Sequence, residues 1–192
     1  MRRPPEILSR EEVSDLFRVV SVESPTGKRT RAMLAVLYRA GLRCGEALAL
    51  MPKDVSLAAG TIRVLHGKGD HARTVGIDAG AVAILSAWVD ARAGLGLNGR
   101  QPLFCTLKGQ PIKPQYIRLL LPRLARKAGI EKRVHAHGLR HTHAAELMAE
   151  GFSVAVISKQ LGHASISTTS VYLDHIAPQE VIDSIRSRQW RP

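Results

Sequence analysis

Residues 137–172 read HGLRHTHAAELMAEGFSVAVISKQLGHASISTTSVY, and the reading of the whole chain turns on this stretch. It sets His137 three positions before Arg140, closes a second run on Leu161-Gly-His163, and reaches Tyr172 nine residues beyond that histidine. Far upstream, Gly41-Leu-Arg-Cys-Gly-Glu46 supplies a second arginine, Arg43, and His66-Gly-Lys-Gly-Asp70 places Lys68 in a turn. A guanidinium is planar, permanently charged and able to bind a phosphate through two nitrogens. An imidazole moves protons near neutral pH. A phenol is a weak nucleophile that needs a cationic pocket and a base. Together these residues can hold a phosphodiester, neutralise its charge and attack it without a metal.

The pattern around these residues predicts the elements that carry them. Ser9-Arg-Glu-Glu12 has capping-box spacing and predicts a helix to about Val20. Residues 21–29 are polar, contain Pro25 and Gly27, and read as a loop. Met33, Leu34, Leu37 and Tyr38 recur at helical spacing from Arg31 to Ala40, with Gly41 as the stop. A short helix from Arg43 to Leu50 follows, ended by Pro52. The period then changes to two in Thr61–His66 and Ala72–Ile77, which predict a hairpin, with Asp54–Leu57 as a third strand. Asp78 caps a helix to about Ala93, a glycine-rich loop runs from Gly94 to Pro102, and Pro114 opens a helix to Lys127 that contains Pro122. Helices are expected from about Gly138 to Glu150, Ser153 to Leu161, Thr168 to Leu173 and Pro178 to Arg188.

Composition narrows the partners. The chain has 192 residues, 45% of them hydrophobic, enough for one domain with a real core. Twenty-eight Lys and Arg against 16 Asp and Glu give a net charge of +12, which favours a polyanion such as DNA. The two cysteines, Cys44 and Cys105, read as reduced core thiols of a cytoplasmic protein. The amino terminus lacks the apolar segment of a secretory signal, and no apolar run is long enough to span a bilayer, so no membrane partner is expected.

In this order and at these spacings the motifs resemble the catalytic domain of the tyrosine recombinases, the phage-integrase and Xer-like family, over roughly Pro5 to Ile185. The resemblance implies a mainly α fold with a small antiparallel sheet, α+β in class, forming a single catalytic domain over residues 1–192. It implies site-specific DNA recombination, with neither metal, ATP nor any other cofactor. Tyr172 would attack the scissile phosphate, forming a 3′-phosphotyrosyl bond and releasing a 5′ hydroxyl, and a partner strand's hydroxyl would reverse the step.

In that scheme Arg43 and Arg140 clamp the pentacoordinate phosphate, and His137 assists the tyrosine proton. His163 hydrogen-bonds a phosphate oxygen, and Lys68 protonates the departing 5′ oxygen. Glu46 orients Arg43, while Arg73 and His141 are assigned to DNA binding. The partners implied are double-stranded DNA and further copies of the chain, four protomers on two duplexes. Residues 178–192, with Trp190, would dock on a neighbouring protomer or on their own domain. Family members typically carry an N-terminal domain that clamps the other face of the DNA. Here the catalytic part begins almost at Met1, so that clamp is expected to be absent, or supplied by a partner.

Taken singly, each residue has a plainer reading. Arg43 and Arg140 read as exposed or salt-bridged arginines, Lys68 as a turn lysine in water, and His163 as a helix-end histidine on backbone carbonyls. Tyr38 and Tyr116 fall within apolar periodicity and read as core. The histidines at 135, 137, 141 and 143 suggest a metal site, but no acidic residue or cysteine lies among them, and no metal is expected. Two other functions stay open: a non-catalytic DNA-binding regulator with the same fold, and a type IB topoisomerase-like activity.

Overall fold

The structure, a computed structural model, describes residues 6–65 and 72–162, together with residue 186. In chain order it contains α1 (Arg10–Arg18), α2 (Pro25–Tyr38), α3 (Cys44–Ala49), a 3₁₀ turn (Pro52–Asp54), β1 (Val55–Ser56), β2 (Thr61–Val64), β3 (Arg73–Gly76), α4 (Ala79–Gly94), α5 (Pro114–Lys127), α6 (Ala136–Ala149) and α7 (Val154–Leu161). The architecture is mainly α with one small antiparallel sheet, as expected.

The run Ala32-Met-Leu-Ala-Val-Leu-Tyr38 organises it. All seven residues are buried. A helix apolar on every side has to be surrounded, and α2 accordingly packs against α4 and α6, with α3 joined to its end. α1 has a single apolar face and buries Val13 and Leu16. The strands are ordered β1-β2-β3, with Ile62 opposite Val75 and Val64 opposite Arg73. Ile62, Val64 and Val75 bury one face of the sheet while Arg63 and Thr74 point to the other, the alternation a half-buried sheet requires.

The loop over residues 95–102 is held from below by one buried side chain. Arg92 donates to the carbonyls of Leu97, Asn98, Gln101 and Pro102 at 2.7–3.3 Å. Fully buried Trp88 donates from Nε1 to the Leu103 carbonyl at 2.9 Å.

Three local expectations change. Residues 25–29 are the first turn of α2 and not a loop. Ser24 is the N-cap, its hydroxyl accepting from the Gly27 amide at 3.1 Å, and Pro25 fills the first helical position, where its missing N–H costs nothing. α6 begins at Ala136, two residues early, because the His135 side chain caps it: Nδ1 accepts from the Gly138 amide at 2.7 Å. Tyr116 is not core. It is 39% exposed, and its hydroxyl accepts from Arg29 at 3.2 Å. Tyr38 is buried as expected and donates to Glu146. Lys68, His163, Tyr172, Trp190 and the helices expected at 168–173 and 178–188, residue 186 apart, lie outside the described residues.

Since α2 organises the core, its cap should matter. Ser24→Ala is expected to lower stability by about 1 kcal/mol while Ser24→Asn, which keeps an acceptor, stays close to wild type. Urea denaturation of the three proteins checks this.

Candidate functional site

Arg43 stands at the N-cap of α3 with an extended backbone, ψ 151°. Its amide donates to Glu46 Oε2 at 2.8 Å and its Nη1 to Oε1 at 2.8 Å, so one carboxylate both caps the helix and fixes the guanidinium. The three-residue spacing that put Glu46 beside Arg43 in the sequence is what makes this possible. The other end of the guanidinium donates from Nη2 to the Gly162 carbonyl at 3.3 Å. The side chain remains 28% exposed.

Arg140, on α6, is fully buried. Its Nη1 donates to the Gly41 carbonyl at 2.6 Å and its Nη2 to the Leu161 carbonyl at 2.7 Å. Both arginines therefore rest on consecutive carbonyls, Leu161 and Gly162, at the C-terminal end of α7. The last carbonyls of a helix lack intrahelical partners and carry partial negative charge, which suits guanidinium donors. Residue 163 follows directly in the chain.

Two glycines make this approach possible. Gly41 has φ 63°, and a Cβ there would lie 2.6 Å from Leu161 Cδ2 and 2.9 Å from His143 Cδ2. Gly162 has φ 67°, and its Cβ would fall 2.6 Å from Arg73 Cδ. Only glycine supplies the backbone hand and the space at once.

Arg73, first residue of β3, reaches the same carboxylate. Its Nη1 donates to Glu46 Oε1 at 2.9 Å and its Nη2 to Oε2 at 2.8 Å, with the side chain only 12% exposed. The expected role of Arg73, a DNA-backbone contact, competes with this geometry. Glu46 thus takes four donated bonds from two arginines. Burial alone would raise its pKa, but the hydrogen bonds from Arg73 and Arg43 bring it down to about 2. Two guanidiniums, those of Arg43 and Arg73, therefore share the one carboxylate of Glu46.

His137 lies one turn before Arg140 on α6 and is exposed. Its pKa is lowered, first by loss of water on its protein-facing side and then by Arg140, His135 and Arg43. The imidazole is neutral at physiological pH and can accept a proton. His137 and Arg43 line a cleft of about 470 Å³ with Cys44, His135 and Arg118. The His141 ring meets that of His137 edge-on, centroids 4.3 Å apart. His143 sits about 200° further round the helix than His141. It is buried with both ring nitrogens unpartnered among the described residues, and burial, then Arg39, lowers its pKa to about 4. The four histidines do not converge: among the described residues no three His, Cys, Asp or Glu side chains are arranged to hold a metal ion. Cys44 and Cys105 are both free, the first half-buried and the second buried.

The structure thus brings together Arg43, Glu46, Arg73, Arg140, His137 and His141. The Arg73–Glu46 pair, 27 residues apart, has no local sequence signal. The carbonyls of Gly41, Leu161 and Gly162 have no side chain to announce them, although glycines at 41 and 162 are a hint of close backbone approach. Among the described residues, no helix is long and apolar enough to cross a membrane.

A model of the phage integrase family matches residues 6–178. The tyrosine recombinase XerC of Bacillus pumilus is 35% identical over 176 residues, covering 89% of this chain and 57% of its own length. XerD of Ralstonia nicotianae is 36% identical over 181 residues, covering 93% and 58%. The chain therefore spans less than two thirds of these relatives. Among solved structures, the XerA recombinase superposes with a TM-score of 0.83 at 30% identity, over 99% of this chain and 68% of that one. The XerH site-specific recombinase, bound to palindromic difH substrate in a post-cleavage complex, gives 0.77 at 28% identity, over 96% and 54%.

The Glu46 cluster makes stability depend on acid. A carboxyl lowered from 4.5 to about 2 on folding adds stability that is complete above the unfolded value. That stability is lost as pH falls from about 4.5 through 2, and its full size is on the order of 3 kcal/mol. Glu46→Gln should therefore be less stable than wild type at pH 7, with the gap closing across that acid window; denaturant melts at pH 7, 4 and 2.5 test it.

Proposed function

The chain belongs to the phage integrase family, and on that footing we propose that it is a site-specific DNA recombinase working through a 3′-phosphotyrosyl intermediate. The observation that carries the reading is the seating of Arg43 and Arg140 on the consecutive carbonyls of Leu161 and Gly162, directly before His163. Two guanidiniums fixed in this way are groups suited to the charge that accumulates on a phosphate's non-bridging oxygens. Being held beforehand, they need no reorganisation during the reaction. His137 lies on the same cleft as Arg43, its pKa lowered, and can take a proton.

In the proposed sequence Tyr172 attacks phosphorus, the 5′ oxygen leaves with a proton from Lys68, and the phosphodiester energy is kept in the phosphotyrosyl bond. Rejoining to another strand's 5′ hydroxyl needs no ATP and no metal. Glu46 acts by orienting Arg43, and His141 lies on the DNA-facing side next to His137. Exchange between two duplexes calls for four protomers, with residues 178–192 as the segment that docks between or within them. We read residues 1–192 as one catalytic unit, acting in the cytoplasm on double-stranded DNA. The net charge of +12 supports a DNA partner.

The test is covalent capture on a pool of nicked suicide duplexes with randomised centres. Wild type is expected to give an SDS-resistant adduct and Tyr172→Phe to bind DNA without one; an adduct with the phenylalanine variant would remove Tyr172 as nucleophile. Relaxation of supercoils without strand exchange would favour a topoisomerase, and binding with no adduct a regulator.

Lys68 has its own signature. Lys68→Ala should slow cleavage of an ordinary duplex and recover on one with a 5′-thiol leaving group, which departs without a general acid. Equal slowing on both substrates would take the acid role away from Lys68.

A further inference from the structure

Arg73 opens β3, opposite Val64 at the end of β2, and Lys68 lies in the chain between these two strands. Its head is turned into the protein. Both terminal nitrogens are bonded to the two oxygens of Glu46, and Nε is buried without a hydrogen-bond partner among the described residues. Its stem lies over Gly162, where an added Cβ would come within 2.6 Å of Cδ and Nε and 2.8 Å of Cζ. Gly162 is the residue whose carbonyl accepts Arg43 Nη2. Arg73 therefore touches both anchors of Arg43, the carboxylate on one side and the carbonyl-bearing glycine on the other.

A bidentate guanidinium–carboxylate pair fixes the plane of the carboxylate as well as its position. With Arg43 as its sole partner, Glu46 would be tied only within the first turn of α3, through the Arg43 amide and Nη1. Arg73 adds a hold from β3 on both carboxylate oxygens. We propose that Arg73 is a positioning residue for strand cleavage: through Glu46 it holds the Arg43 guanidinium against the end of α7, and it ties the strand that follows Lys68 to the same frame. The inference rests on the phosphotyrosyl reading above. It assigns Arg73 to the protein's own carboxylate, where the sequence suggested a DNA phosphate.

Arg73→Lys keeps the charge but not the fork, and Arg73→Gln removes both. Single-turnover cleavage of a nicked suicide duplex at saturating DNA, together with DNA affinity across a salt series, separates the two roles. Both variants are expected to cleave roughly ten- to a hundredfold more slowly, the cost of a misplaced group, with DNA affinity and its salt dependence near wild type. Glu46→Gln should slow cleavage similarly, and the double variant with Arg73→Gln no further, since the two act as one unit. Arg73→Gln should also lose rate in acid beyond the loss that wild type shows, because Glu46 then takes up a proton more easily. A thermal melt at each pH confines the comparison to folded protein. If instead Arg73→Gln weakens DNA binding, lowers the salt slope by about one, recovers its rate at saturating DNA and is rescued by lysine, the residue is a phosphate contact and the inference is wrong. An unchanged rate and pH profile in Arg73→Gln also overturns it. Should wild type form no adduct on any duplex, the phosphotyrosyl reading is what fails. Carboxyl ¹³C NMR of Glu46 then decides the positioning link: a higher titration midpoint in Arg73→Gln than in wild type upholds it, and the same midpoint removes it.

Discussion

A carboxylate buried between two guanidiniums is the constraint on which the described site depends. Glu46 is 6% exposed, and a charge so placed is tolerable only when it is paired and hydrogen-bonded. Arg43 and Arg73 supply that, and each is positioned in return. Losing either would leave a buried charge short of partners.

The second support is the end of α7. Its carbonyls hold Arg43 and Arg140, which arrive from α3 and α6, elements nearly a hundred residues apart in the chain. They meet because the second half of α2, Ala32–Tyr38, is apolar all round and α2 gathers α3, α4 and α6 about itself. Gly41, two residues beyond the C-cap Arg39 of that helix, is left-handed and turns its carbonyl to Arg140. A hydrophobic core built on α2 is therefore what delivers two cations to one helix terminus. Repulsion between those cations is offset by Glu46 and by the carbonyl dipoles.

Much of this was legible in the chain. Glu46 three residues after Arg43 foretold the orienting contact, because that spacing closes a helix's first turn. The capping signals of Ser9, Asp78 and Ser153 each predicted a helix start that the structure contains. Ser24-Pro25 carried the same message and was masked by the polarity of residues 21–29. His135 as a cap was harder to foresee, since imidazole is an uncommon N-cap and works here only because Gly138 leaves room for the ring.

By itself the sequence determined the element order, the change from helical to strand period at the hairpin, the basic charge and the set of residues suited to phosphate chemistry. Those are consequences of local periodicity and composition, which neighbouring residues settle among themselves. Only the tertiary structure decided that Arg73 shares the carboxylate of Glu46, that Arg140 is wholly buried, and that Arg43 and Arg140 both end on backbone carbonyls. Backbone acceptors look alike in every residue, and a contact between positions 46 and 73 leaves no periodic trace, so burial and packing alone select them.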